Sequence, residues 1–318
     1  MQHTDSVKVA VAQLGSVFMD REASISKACE YIIEASSNDA QILVFPEAFI
    51  SGYPRGLRFD SAIGSRGPRG KQDWVRYWHS SVMIPSEPLQ VLANTIREAK
   101  VYVVIGIIEQ EEYGSQGTLY CTMLYYGPDG TILGKHRKLK PTGIERLIWG
   151  EGDGSTLFTV DTPYGCLGGL ICWENYMPLA RMFMYGKGVN IYIAPTADQR
   201  DSWQATIRHI ACEGRCFVLA ANQFVRKEDY PSNLACYAEL DDQPEIMCRG
   251  GSAIINPFGE YLAGPLYGEE GILYADLDLK LIEQGHLDFD VAGHYARPDV
   301  FTLSVNEQPR NAFVALDK

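Results

Sequence analysis

Basic residues are the scarce charge in this sequence: 28 Lys and Arg stand against 40 Asp and Glu, for a formal net charge of −12. So acidic a chain lacks the excess cations on which general nucleic-acid affinity rests, and it offers no polybasic face to an anionic membrane. Long apolar runs are missing too. The longest strongly apolar stretch, residues 102–108, falls far short of the roughly 20 residues a bilayer crossing needs. The opening Met1-Gln2-His3-Thr4-Asp5-Ser6 lacks the charged-then-apolar layout of a secretory signal, so a cytoplasmic location is expected. None of the eight cysteines forms a CxxC pair, and the six histidines show no HxH or HExxH spacing, which leaves no zinc pattern to follow. Free thiols are therefore expected rather than a disulfide framework.

Nor is there a Gly/Ser linker, a low-complexity segment or a short repeat, and 46% hydrophobic residues can fill a large core. Residues 7–14 read as a strand. Ile25, Ala28, Cys29, Ile32 and Ile33 then fall on one helical face, and Ile42-Leu43-Val44-Phe45 is a short strand buried on both sides. A second helix carries Leu89, Leu92, Ile96 and Ala99, residues 101–108 form another buried strand, and a hairpin turns at Gly127-Pro128-Asp129-Gly130. The pattern recurs with a strand over 189–194, a helix bearing Trp203, Ile207, Ile210 and Ala211, and a strand over 216–221. Strand, helix, strand in each half predicts two similar layers within one α/β domain spanning 1–318. Irregular insertions are expected near 50–85, as a partly helical lid or contact surface, and near 224–250. The polar segment 288–318 is expected to lie across the surface or a neighbour.

Three places carry chemistry. Residues 166–171 read as the second strand of a hairpin, and Cys172 ends that strand just before a helix over 177–185. In such an elbow the thiol either faces a pocket as a nucleophile or is one more buried cysteine. Glu47 follows four apolar strand residues and a proline. A carboxylate at a strand end is either solvated or, once desolvated, a base able to take a thiol proton. Lys138 lies in the basic run Lys135-His136-Arg137-Lys138-Leu139-Lys140, followed by Pro141-Thr142-Gly143. The run is either a solvated face or, with its backbone fixed by the proline, the source of a pinned ammonium that would favour the Cys172 thiolate. Glu145 either pairs with Arg146 or orients Lys138 or the substrate. Tyr53, Trp173 and Thr196 either shape a pocket or pack in the core.

Taken together, Phe45-Pro46-Glu47-Ala48-Phe49, His136-Arg137-Lys138-Leu139-Lys140-Pro141-Thr142 and Cys172-Trp173-Glu174-Asn175 resemble, in order and context, the carbon-nitrogen hydrolase family. Gly52-Tyr53-Pro54-Arg55-Gly56, residues 149–154 and residues 293–299 extend the likeness to its nitrilase branch, as does Trp173 directly after the cysteine. The resemblance implies a four-layer α-β-β-α sandwich and a Glu-Lys-Cys triad of Glu47, Lys138 and Cys172, with Glu145 as a second active-site glutamate. It implies hydrolysis of an organic nitrile through a thioimidate and a thioester, without metal or organic cofactor, by homo-oligomers or spirals built from dimers. An amidase or N-carbamoyl amidohydrolase using the same triad is the nearest competing expectation. A catalytically idle oligomeric scaffold is the remote one.

Overall fold

The first half of the chain is laid down by alternation. In β1 (Ser6–Gln13), Val9 and Val11 face one side while Ala10 and Ala12 face the other, and all four are sealed from water. The computed structural model describes residues 5–111 and 117–310. After β1 come α1 (Arg21–Ser37), β2 (Ile42–Val44), a small hairpin of β3 (Ser61–Ala62) and β4 (Ser65–Arg66), α2 (Pro68–Ser80) and α3 (Glu87–Ala99). Next are β5 (Tyr102–Gln110), β6 (Leu119–Tyr126) and β7 (Ile132–Arg137). The second half contains β8 (Thr159–Thr162), β9 (Gly165–Gly169), α4 (Pro178–Gly186), β10 (Ile191–Ile193), α5 (Asp201–Gly214) and β11 (Phe217–Ala220). It closes with β12 (Phe224–Arg226), β13 (Ile246–Ile255), β14 (Tyr261–Tyr267), β15 (Gly271–Asp278) and α6 (Lys280–Asp288).

One sheet runs β15-β1-β2-β5-β6-β7, with β1, β2 and β5 parallel. The other runs β12-β13-β11-β10-β9-β8 with β14 beside β13, and β9, β10 and β11 are parallel. β15 pairs with β1 over eight residues, so a late strand completes the first sheet. Three apolar cores separate four layers. Val9, Val11, Ile42 and Val44 meet Leu167, Ile191, Ile193, Phe217 and Leu219 between the sheets. Ala10, Leu43 and Val103 turn outward onto Ile25 and Ile32 of α1 and Leu92 and Ile96 of α3. Tyr192 and Val218 turn outward onto Met184 of α4 and Trp203 and Ile207 of α5. The architecture is the expected α-β-β-α sandwich.

Two expectations need correction. The segment near 224–250 is not an irregular insertion throughout: it begins in β12 and ends inside β13, which starts at Ile246. Gly250 and Gly251, at φ +92° and +119°, lie where the ladder with β14 shifts register, and Ile246 to Arg249 before them show no alternation of buried and exposed side chains, so the start of β13 carries no strand pattern. The hairpin strand that leads to Cys172 ends at Gly169, two residues earlier than expected. Near 50–85, α2 supplies the helical part. Most of residues 291–310 are exposed, with Val291 and Val305 resting on the outer core of the second sheet, while positions 311–318 of the expected end segment and 1–4 of the expected domain lie outside the described residues.

Candidate active site

The two sheets deliver their reactive side chains from the ends of their strands. Glu47 lies three residues beyond β2, where the chain crosses β5 at Gly106; a Cβ at that position would fall 2.3 Å from the Pro46 carbonyl oxygen. Only glycine lets the two backbones approach so closely. Lys138 follows β7 directly, and its backbone is tied by Lys138 N–H to the Cys121 carbonyl at 2.8 Å and by Gly152 N–H to its own carbonyl at 2.8 Å. Cys172 starts a short 3-10 helix, Cys172–Tyr176, in the left-handed conformation at φ +54°. That conformation costs a side-chain-bearing residue energy and is typical of positions held by their surroundings. Cys172 N–H donates to the Pro195 carbonyl at 2.8 Å, which fixes the elbow against the end of β10.

Glu47, Lys138 and Cys172 are all buried, and Glu145 joins them. Lys138 Nζ donates to Glu47 Oε1 at 2.6 Å and to Glu145 Oε2 at 2.8 Å, and it lies 5.7 Å from the centre of the Trp149 ring. Burial alone would lower the Lys138 pKa, but Glu47, Cys172 and Glu145 outweigh it and hold the amine well above the ordinary lysine value, as an ammonium. Glu145 Oε2 also accepts from Thr142 N–H at 2.6 Å, and its Oε1 accepts from the Tyr53 hydroxyl at 2.7 Å. Glu145 therefore orients Lys138 instead of pairing with Arg146, whose Nε donates to the Pro141 carbonyl.

Burial pushes the Glu47 carboxyl above the usual carboxylate range, and the Glu145 charge adds to this, while the Lys138 ammonium and the Cys172 thiol pull it down without cancelling the rise. Glu47 Oε1 also receives the Cys121 thiol at 3.5 Å, whereas Oε2 has no hydrogen-bond partner. At Cys172, burial first and then Glu47 push the thiol well up, against the pull of Lys138 and of the Thr196 hydroxyl, which donates to Sγ at 3.1 Å. Lys138 thus favours the Cys172 thiolate, as expected, but its charge is shared between two carboxylates and burial outweighs it, so the sulfur depends on a base to remove its proton.

The sulfur borders a cavity of about 250 Å³ lined by Tyr53, Arg55, Trp173, Asp198 and Arg200 among others. Tyr53 and Trp173 are thus pocket walls, with Trp173 Nε1–H donating to Asp198 Oδ2 at 2.8 Å and the Arg200 guanidinium 4.5 Å above its ring. Thr196 does not line this cavity; it is fully buried and acts on the sulfur from behind. Reading the residues had missed the work of Glu174, which accepts from His136 Nε2 at 3.0 Å, Leu139 N–H at 2.5 Å and Ile171 N–H at 2.8 Å. Leu139 follows Lys138 and Ile171 precedes Cys172, so a single carboxylate ties together the two loops that carry them. The available signal was His136 two residues before Lys138, placing both on one side of the backbone.

The sequence model of the family described as carbon-nitrogen hydrolase matches residues 8–286. The chain belongs to the carbon-nitrogen hydrolase family. Among the relatives of this carbon-nitrogen hydrolase, an aliphatic nitrilase of Sinorhizobium fredii is 52% identical over 96% of this chain and 98% of its own. A bifunctional nitrilase/nitrile hydratase of Lupinus angustifolius is 49% identical over 96% of this chain and 88% of its own. In fold, the carbon-nitrogen hydrolase is similar to Nit3 of Saccharomyces cerevisiae, a member of branch 10 of the nitrilase superfamily. That match has a TM-score of 0.71 at 24% identity, over 92% of this chain and 97% of that one.

Proposed function

We propose that this chain is a nitrilase that hydrolyses a small organic nitrile to the carboxylic acid and ammonia with Cys172 as nucleophile. The kinship with named nitrilases supports the reaction. The assignment of roles rests on one observation: a buried thiol at the cavity wall shares its surroundings with a carboxyl whose Oε2 is unpartnered and with an ammonium held by two carboxylates. Glu47 takes the Sγ proton, sulfur bonds to the nitrile carbon, and the nitrogen accepts that proton, giving a thioimidate. Water, deprotonated by Glu47, adds to the same carbon; ammonia leaves, and the thioester remains. A second water releases the acid and returns the proton to Cys172. Lys138 and the Trp173 backbone N–H stabilise the negative charge of each tetrahedral adduct, and such a contact is worth about 3 kcal/mol.

Intact-mass measurement with a slowly turned-over nitrile tests the nucleophile. An adduct is expected on the wild type and none on Cys172→Ala, so an adduct that persists in the variant overturns the assignment. Ammonia release from matched nitrile and amide substrates separates the nitrilase from an amidase, which would favour the amide.

No helix among the described residues is long and apolar enough to cross a membrane. Eight free thiols, Cys29 to Cys248, support a reducing, cytoplasmic setting. The continuous core between the sheets supports a single domain across both halves. Self-association into dimers and larger spirals belongs to the same reading. Exposed Leu179, Tyr295, Val300 and Phe301 support it, and sedimentation at several concentrations tests it.

A further inference from the structure

Arg55 is a cation that the mechanism does not use. It borders the cavity that holds Cys172, and it also borders an adjoining one of about 550 Å³ walled by apolar side chains such as Leu57 and Ile148. The other cation lining the reactive cavity is neutralised in place, Arg200 by Asp198, which its Nε and Nη2 reach at 2.8 and 2.6 Å, and Lys138 beneath it is held by Glu47 and Glu145. Arg55 has no carboxylate partner among the described residues. Its Nη2 donates to the Ala197 carbonyl, its buried Nε has no hydrogen-bond partner, and the groups that act on it most are Cys248, Tyr53, Tyr230 and Cys172. Elsewhere Arg137 and Arg181, comparably enclosed, each fork onto a glutamate.

Enclosing a guanidinium without a counter-charge is costly, and a chain with twelve surplus negative charges had carboxylates to supply. The partner that removes the cost then comes with the ligand. Guanidinium presents a planar fork of donors that fits a carboxylate, and here the arginine that carries it, with Nε left unpartnered, lines the cavity in which sulfur must meet a nitrile carbon. We propose that Arg55 binds a carboxylate carried by the substrate, so that this enzyme prefers short cyano-carboxylates to alkyl nitriles of the same length. The proposal rests on the nitrilase reading and names the substrate class of that site. A neutral alkyl nitrile leaves Arg55 unpaired, and an amine-bearing nitrile adds a second cation beside it.

The test uses 3-cyanopropionate and butyronitrile, which differ by a carboxylate in place of a methyl group. In the wild type, kcat/KM is expected to favour 3-cyanopropionate, chiefly through KM. Arg55→Gln should cut that preference about tenfold to a hundredfold, the range of a charge-assisted hydrogen-bonded pair. Arg55→Lys should restore part of it, since it keeps the charge and loses the fork. An unchanged ratio in Arg55→Gln, or a wild type that prefers butyronitrile, overturns the proposal. Calorimetric binding of 3-cyanopropionate to Cys172→Ala, with and without Arg55→Gln, reads the site independently of turnover. Binding that depends on Arg55 without any wild-type hydrolysis would uphold the carboxylate site and sink the nitrilase reading. Binding indifferent to Arg55 would sink the carboxylate site alone. Melting curves of each variant establish that it is folded.

Discussion

Two buried glutamates stand on either side of the same loops, each against a basic residue from the end of β7. Glu47 meets Lys138, and Glu174 meets His136 two positions earlier. In burial and in having a basic partner they are alike; what separates them is their unspent bonding capacity. Both oxygens of Glu174 are engaged, by His136, Leu139 N–H and Ile171 N–H, whereas Glu47 keeps Oε2 without a partner. A satisfied buried carboxylate fixes structure, and one left with a free oxygen can still accept a proton. The pair therefore divides the work: Glu174 holds the loops, and Glu47, in our reading, acts on the sulfur between them.

The largest effect that would test this division comes from Glu47→Gln. Without its base, kcat should fall by about 10²–10⁴. The melting temperature should change little, because burial already disfavours the ionised Glu47 carboxylate and Lys138 keeps Glu145 as its counter-charge. Steady-state kinetics and a thermal melt on the same preparation decide the matter. A variant that is both inactive and markedly less stable would erase the contrast.

Glu174→Ala should show the opposite balance. It leaves His136 and two backbone N–H groups without their acceptor, at a cost of about 3 kcal/mol, read as a lower urea midpoint at constant slope. Glu174→Gln keeps one acceptor oxygen and should fall between. If Glu174→Ala unfolds at the wild-type midpoint, the carboxylate is no brace.

Much of this site could be read before any coordinates. Glu47 and Cys172 each follow an apolar strand, Lys138 sits in a run whose proline restrains it, and the strand-helix-strand pattern occurs once per half, so two similar layers follow from periodicity, whereas the four-layer sandwich and the meeting of the three residues were implied only by the family resemblance. Glu174 escaped because two of its three partners are backbone N–H groups, which carry no residue signature, and His136 lies 38 positions away. How strongly Lys138 favours the Cys172 thiolate was hidden for a related reason: it depends on how many carboxylates share that lysine, and Glu145 becomes the second only when the 3-10 turn Gly143–Leu147 brings it back. Arg55 is the extreme case, for its meaning lies in a partner it lacks. β13 was obscured locally, because Ile246 to Arg249 do not alternate and two glycines follow them.

The gentlest way to probe the contrast is pH. Burial disfavours the His136 imidazolium, yet the Glu174 carboxylate on Nε2 and the Thr156 carbonyl on Nδ1 outweigh that and raise its pKa above the ordinary histidine value. A histidine whose folded pKa exceeds its unfolded one contributes stability that is complete below about pH 6.5 and is lost as pH rises through the folded value. The stability gap between wild type and His136→Gln, from urea unfolding at a series of pH values, should therefore narrow as pH rises above about 6.5. In a Glu174→Gln background the narrowing should disappear, because the charge that raised the imidazole is gone. In a Glu47→Gln background it should persist, since Glu47 is paired with Lys138 and not with His136. Were Glu47→Gln to abolish it as well, the two carboxylates would titrate as one unit, and the separation of brace from base would have to be abandoned.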